Sequence, residues 1–177
     1  MTATDIADLT TATLSVLTTA QVSSLTNLQV IALTTGQVAA LNTTTLGALT
    51  TGQISAMEVA DVAALTTANV AALATRQVAG LTATQAAGLT TAQAASLTTL
   101  TVGALNTSQI AGLSTASIGA LTTGSLSFLT TAQVVGLTAK QIAVLSTAQV
   151  AALTTAQASS LTNLQVIALT TGQVAAL

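Results

Sequence analysis

LTTAQVSSLTNLQVIALTTGQVAAL, residues 17–41, repeats one eight-letter phrase three times and begins it again. Neither common secondary-structure period explains a phrase of eight, since a continuous helix needs about 3.6 residues per turn and a strand about 2. Carried outward from this stretch, the phrase covers the whole chain as 22 units of eight plus a final Leu177, with no insertion or deletion. Position 1 is Leu everywhere except Met1 and Met57, and position 2 is Thr, Ser or Asn except at Glu58 and Ala74. Position 5 is always polar, usually Gln, and position 6 is always aliphatic, shrinking to Ala at Ala86, Ala94 and Ala158. Positions 7 and 8 are mostly Ala, Gly or Ser.

Thr at position 2 and Gln at position 5 form T-x-x-Q, a capping box. The Thr hydroxyl accepts from the third helical amide while the Gln side chain returns to the amide of the Thr. Leu at position 1 and Val or Ile at position 6 stand where a hydrophobic staple places its two residues. Each octad therefore predicts one very short helix, from position 3 to position 8 or the next Leu, followed by a corner where the next Thr restarts it. Isolated helices shorter than about 12 residues are marginal in water, so every unit must be held by its neighbours. The expected fold is all-α, a solenoid or superhelix of about 22 short helices, and the whole of residues 1–177 reads as a single array. The alternative is a β-solenoid, because Thr and Val favour strands. The odd step from position 1 to position 6 speaks against it, since it would put Leu and Val on opposite faces of a strand.

Composition excludes most kinds of chemistry. Only 3% of residues are charged and the formal net charge is −2, so the chain has little field with which to steer a partner. Arg76 and Lys140 are the only basic side chains and Phe128 the only aromatic ring, which leaves nothing to hold or stack a nucleic acid. There is no Cys and no His, hence no thiolate and no imidazole to act as base or ligand, and no cofactor is expected. The carboxylates Asp5 and Asp8, and Glu58 and Asp61, stand three apart and could share a face toward a hard cation. Asp5, Glu58 and Asp61 also occupy cap or first-turn positions, where a carboxylate suits the helix dipole, and that reading is preferred. The chain is expected to be non-enzymatic. Mean hydropathy is high, at +0.80, yet Thr or Gln interrupts every apolar run, so membrane insertion is not expected. The start MTATDIADLTTATL does not read as a signal peptide.

A chain half hydrophobic and almost uncharged has little to keep copies apart, and self-assembly is the natural expectation. Arg76 and Lys140 both sit at position 4, which marks that position as solvent-facing. Leu28, Leu100 and Leu164 are then out of place there, as are Ile31 and Ile167 at position 7. Leu28, Ile31, Leu164 and Ile167 lie in two copies of LTNLQVIA, within identical segments 25–41 and 161–177. These four, with Val174 and Leu177 in the closing residues, are the candidate self-association residues. They suit lateral or head-to-tail contact in a rod, arc, ring or filament. The alternative function is a Thr-rich binding surface for ice or a glycan, though position 3 departs from Thr at Ala3, Asn27, Val59, Ala83, Ala139 and Asn163.

The phrases LTTAQVAA, LTTGQVAA and LSTAQVAA resemble the Ala/Thr/Gln-rich octapeptide arrays of very large bacterial secreted or cell-surface, adhesin-like proteins. The resemblance implies an extracellular bacterial setting and a structural role as spacer or scaffold. It brings no catalytic residues. It also allows the chain to be a segment of a longer protein.

Overall fold

The computed structural model describes residues 2–177. It contains 22 helices, from α1 (Ala3–Ala7) to α22 (Thr171–Val174), one per octad, and no strand among the described residues. The β-solenoid alternative therefore falls away. The reason lies at position 2, where the hydroxyl that would favour a strand is used to start a helix.

Octad 12 shows how. In α12 (Thr91–Ser96) the N-cap residue Thr90 is extended, at φ −68° and ψ 160°. Its hydroxyl accepts from the Gln93 amide at 3.2 Å, and its own N–H donates to Gln93 Oε1 at 2.8 Å. The Leu97 amide then closes the end of the helix on the Ala94 carbonyl at 3.2 Å. Leu97 itself is extended again, at φ −62° and ψ 131°. The corner is thus a Leu–Thr pair in extended backbone, and no described residue has a positive φ. Glycine is not needed to turn the chain. Where the cap oxygen is missing only half the arrangement survives: Ala74 still donates its N–H to Gln77 Oε1 at 2.9 Å but has no hydroxyl to offer in return.

Helices of under two turns gain their stability by packing, and the helix pairs in closest contact are three apart along the chain. α8 (Val59–Ala64) packs on α5 (Thr35–Ala39) and α11 (Ala83–Ala87), and α14 (Thr107–Gly112) packs on α11 and α17 (Thr131–Gly136). The core is one continuous file of position 1 and position 6 side chains. Leu97, Val102, Leu105 and Ile110, for example, are all buried. Position 4 is exposed in every octad, as the placement of Arg76 and Lys140 predicts.

Small residues near the helix ends permit close approach in some units. A Cβ on Gly112 would lie 2.8 Å from the Ala83 carbonyl oxygen, whereas one on Gly36 would meet nothing within 4 Å.

Candidate assembly surfaces

The side chain that organises the array is the position 5 glutamine, and it does two things at once. Its Oε1 accepts the N-cap amide of its own helix, as in any capping box. Its Nε2 reaches across to an earlier part of the chain. In octad 12 the Gln93 amide donates to Val62, Ala63 and Leu65 carbonyls at 2.9, 3.2 and 2.7 Å. Those oxygens belong to the last turn of α8 and the corner after it, where a helix leaves carbonyls without intrahelical partners. One buried side chain thereby caps the start of one helix and the end of another.

The separations are constant. Gln53, Gln85, Gln109, Gln133, Gln141 and Gln157 donate to carbonyls 31 and 28 residues back, just as Gln93 does. Asn69 makes the same 28-residue reach to Leu41, at 2.8 Å. Thr45 and Thr101 instead turn their hydroxyls back to Asn42 and Thr98 in their own units. Sequence reasoning places these glutamines in caps but misses the second role. The available signal is the frequent use of Gln and the absence of Glu at position 5: Glu accepts a cap bond equally well, but only Gln carries an amide N–H.

This reach gives the array a direction. Position 5 looks to earlier chain, and it is buried from Gln37 onward but exposed at Asp5, Thr13 and Gln21. Position 6 is covered by later chain, and it is buried from Ile6 to Val150 but 49% exposed at Val166 and 54% at Val174. The position 1 leucines need both sides, being half-buried at Leu9, Leu17 and Leu25 and again at Leu153, Leu161 and Leu169. At the N-terminal face a recess of about 280 Å³ opens between Leu17, Gln21, Ser24, Leu25 and Gln29.

Of the predicted self-association residues, Leu28 and Ile31 stand exposed on α4 (Asn27–Ile31), and Leu164 and Ile167 on α21 (Asn163–Ala168). α4 packs against α1 and α7 (Thr51–Ala56), and α21 against α18 (Ala139–Ala143), so the two apolar pairs do not meet. Val174 and Leu177, also exposed, belong to the C-terminal face.

The carboxylates divide by environment. Thr2 donates its N–H to Asp5 Oδ2 at 2.7 Å, and that hydrogen bond, with a second from the Thr2 side chain, holds the Asp5 carboxyl below its usual range. Asp61 is only 2% exposed. Burial pushes its carboxyl up, the Glu58 backbone N–H opposes this, and the Glu58 charge adds to it. Asp5 thus fits the cap reading of the sequence, while Asp61 adds burial in the core to its first-turn place. Glu58, although at the N-cap position, makes no side-chain cap bond. No group of three or more metal-ligating side chains occurs among the described residues, and no helix is long and apolar enough to cross a membrane.

The model of the ALTTAQ repeat family matches residues 30–67, 54–91 and 128–163, which together make up more than half of the chain. The chain belongs to the ALTTAQ repeat family. Its name spells octad positions 8 and 1 through 5, found intact at residues 152–157 and ending on the bridging Gln157. Comparisons with curated proteins and with solved structures find no match.

Proposed function

We propose that the chain is a superhelical solenoid, turning once about every 3.5 octads, and that it serves as a self-assembling structural module. The observation that carries this reading is the constant 28-residue reach of the position 5 amide, since 28/8 is 3.5. A half-integral number sets each corner of one turn against a helix start of the next, which is the contact Gln93 makes. Stability in such an array is a sum of neighbour contacts, and its ends present what internal units bury.

The ends are complementary. The N-terminal face offers a recess between Leu17 and Leu25 and the Gln21 side chain at its wall. The C-terminal face offers Val166, Val174 and Leu177. If two copies join octad to octad, the internal register carries the Gln21 amide to the Val166, Ile167 and Leu169 carbonyls of the second copy. A head-to-tail contact of this kind closes as a ring or continues as a filament. The duplicated apolar pairs favour it over lateral association: the copies begin at residues 25 and 161, and their 136-residue spacing is not a multiple of 28. In that role the module is non-enzymatic and binds mainly its own kind. It would act as spacer or scaffold in a bacterial secreted or cell-surface protein of the adhesin-like kind.

Light scattering on the 177-residue chain tests the reading. The expected result is an oligomer that Val174→Lys with Ala176→Glu breaks into smaller species, while Ala92→Lys at exposed position 4 leaves it intact. A strictly monomeric chain at tens of micromolar, roughly where weak uncapped contacts show, would overturn it.

A further inference from the structure

Eighteen residues supply the buried polar side chains of the array, and all are position 5 residues. Every buried glutamine among them donates to the carbonyl 28 residues earlier, and Asn69, Ser117 and Ser125 do the same. Asp61 alone, when ionised, has no hydrogen to give. Counting back 28 residues, its counterpart is the Leu33 carbonyl at the corner between α4 and α5. Carboxylate and carbonyl are both acceptors, so a residue 61 that followed the register of its neighbours would set like against like.

No cation relieves this. None of α4, α5, α11 and α12, the elements packed or bonded to α8, contains a charged residue. Within its own unit the neighbouring charge is Glu58, of the same sign. The guanidinium of Arg76 is engaged elsewhere, donating to the Gly47 carbonyl at 3.3 Å. Asn69, the isostere of a protonated Asp in the next octad, shows what the site accepts: its amide meets Leu41 at 2.8 Å.

We propose that Asp61 is a proton-operated joint in the array: protonated, its O–H donates to the Leu33 carbonyl and closes α8 onto the α4–α5 corner, and ionised, it loosens the array at that point. Burial favours the neutral form, which raises the carboxyl above its usual range. The sign follows. A carboxyl held more tightly protonated in the folded state contributes stability that is present below the unfolded-state value and is lost as pH rises through the raised folded value. The joint closes as pH falls through that raised value and opens as pH rises above it. Asp5, whose carboxyl is lowered, has the opposite sign and weakens as pH falls through its depressed value.

The test compares the full chain with Asp61→Asn, which carries a permanent N–H and has Asn69 as proof that the site holds it. At about pH 7.5 the variant should fold with a more favourable equilibrium constant than the unmodified chain, and the gap should close as pH falls toward the unfolded-state carboxyl range near about pH 3.5. The Asp5 contribution is common to both and cancels. A carbon-detected titration should show the Asp61 carboxyl releasing its proton above the range of an aspartate in the unfolded chain. A variant no more stable at neutral pH, a gap that does not change with pH, or an Asp61 carboxyl titrating in the ordinary range would each overturn the proposal. None of these readings depends on whether copies associate.

Discussion

Residues 25–41 and 161–177 are the same seventeen letters in two settings, and they do not acquire the same structure around them. Val30 and Val38 are fully buried, while their counterparts Val166 and Val174 are about half exposed. Leu33 is buried and Leu169 only partly so, whereas Gln165 is 2% exposed and its counterpart Gln29 only partly covered. Gln37 and Gln173, by contrast, make the same three donations, to Ile6, Ala7 and Leu9 and to Ile142, Ala143 and Leu145. The difference teaches that an octad has a front and a back. Its polar position 5 is satisfied by chain that came before, and its aliphatic position 6 by chain that comes after.

The largest effect expected from this polarity is electrostatic. Gln109→Glu keeps the cap acceptor but removes the donor to Val78 and Leu81 and buries a charge among carbonyls. Thermal or denaturant unfolding at neutral pH should show a loss of about 3 kcal/mol or more. The same change at exposed Gln21 should cost a small fraction of that. A second test stays within the duplicated segment: Val30→Ala should cost about 2 kcal/mol and Val166→Ala well under half as much. Equal losses would break the comparison.

Gly112→Ala forces a Cβ against the Ala83 carbonyl, a backbone group that cannot swing aside. It should destabilise by about 1 to 3 kcal/mol. Gly36→Ala, with open space around it, should be neutral or stabilise by up to about 1 kcal/mol through helix propensity. The smallest expected effects separate the two threonines of one octad. Thr90→Ala loses the hydroxyl that accepts from Gln93 and should cost about 1 kcal/mol, against a few tenths for exposed Thr91→Ala. Similar losses at both would mean that the helix starts elsewhere.

The local half of this fold is legible in the octad. Thr90 with Gln93 spells a capping box, Leu97 and Val102 spell a staple, and Arg76 and Lys140 mark the solvent face, so helix starts, core positions and position 4 all follow from nearest-neighbour chemistry. The long-range half is not. Nothing in LTTAQVAA says that its glutamine meets backbone 28 residues earlier, because that separation is set by several units together and not within one. Nor does the octad say which face of a unit looks backward. The cap role of Gln93 was legible and its bridge to Leu65 was not, since a local pattern accounts for only one end of that side chain. Asp61 shows the same limit: its place in the first turn could be read from sequence, its burial could not.

A single engineered cross-link tests whether the chain returns in register. A Cβ on Gly136 would lie 3.1 Å from the Thr107 Cβ, 29 residues earlier, within a few tenths of an ångström of the roughly 3.5 to 4.5 Å that a disulfide spans. The chain has no cysteine of its own to compete. Mild oxidation of the Thr107→Cys, Gly136→Cys chain, followed by mass spectrometry, should find an intrachain disulfide in nearly every molecule, with the helical circular dichroism retained. Thiols that stay free, or pair only between chains, would contradict the 28-residue register and the account built on it.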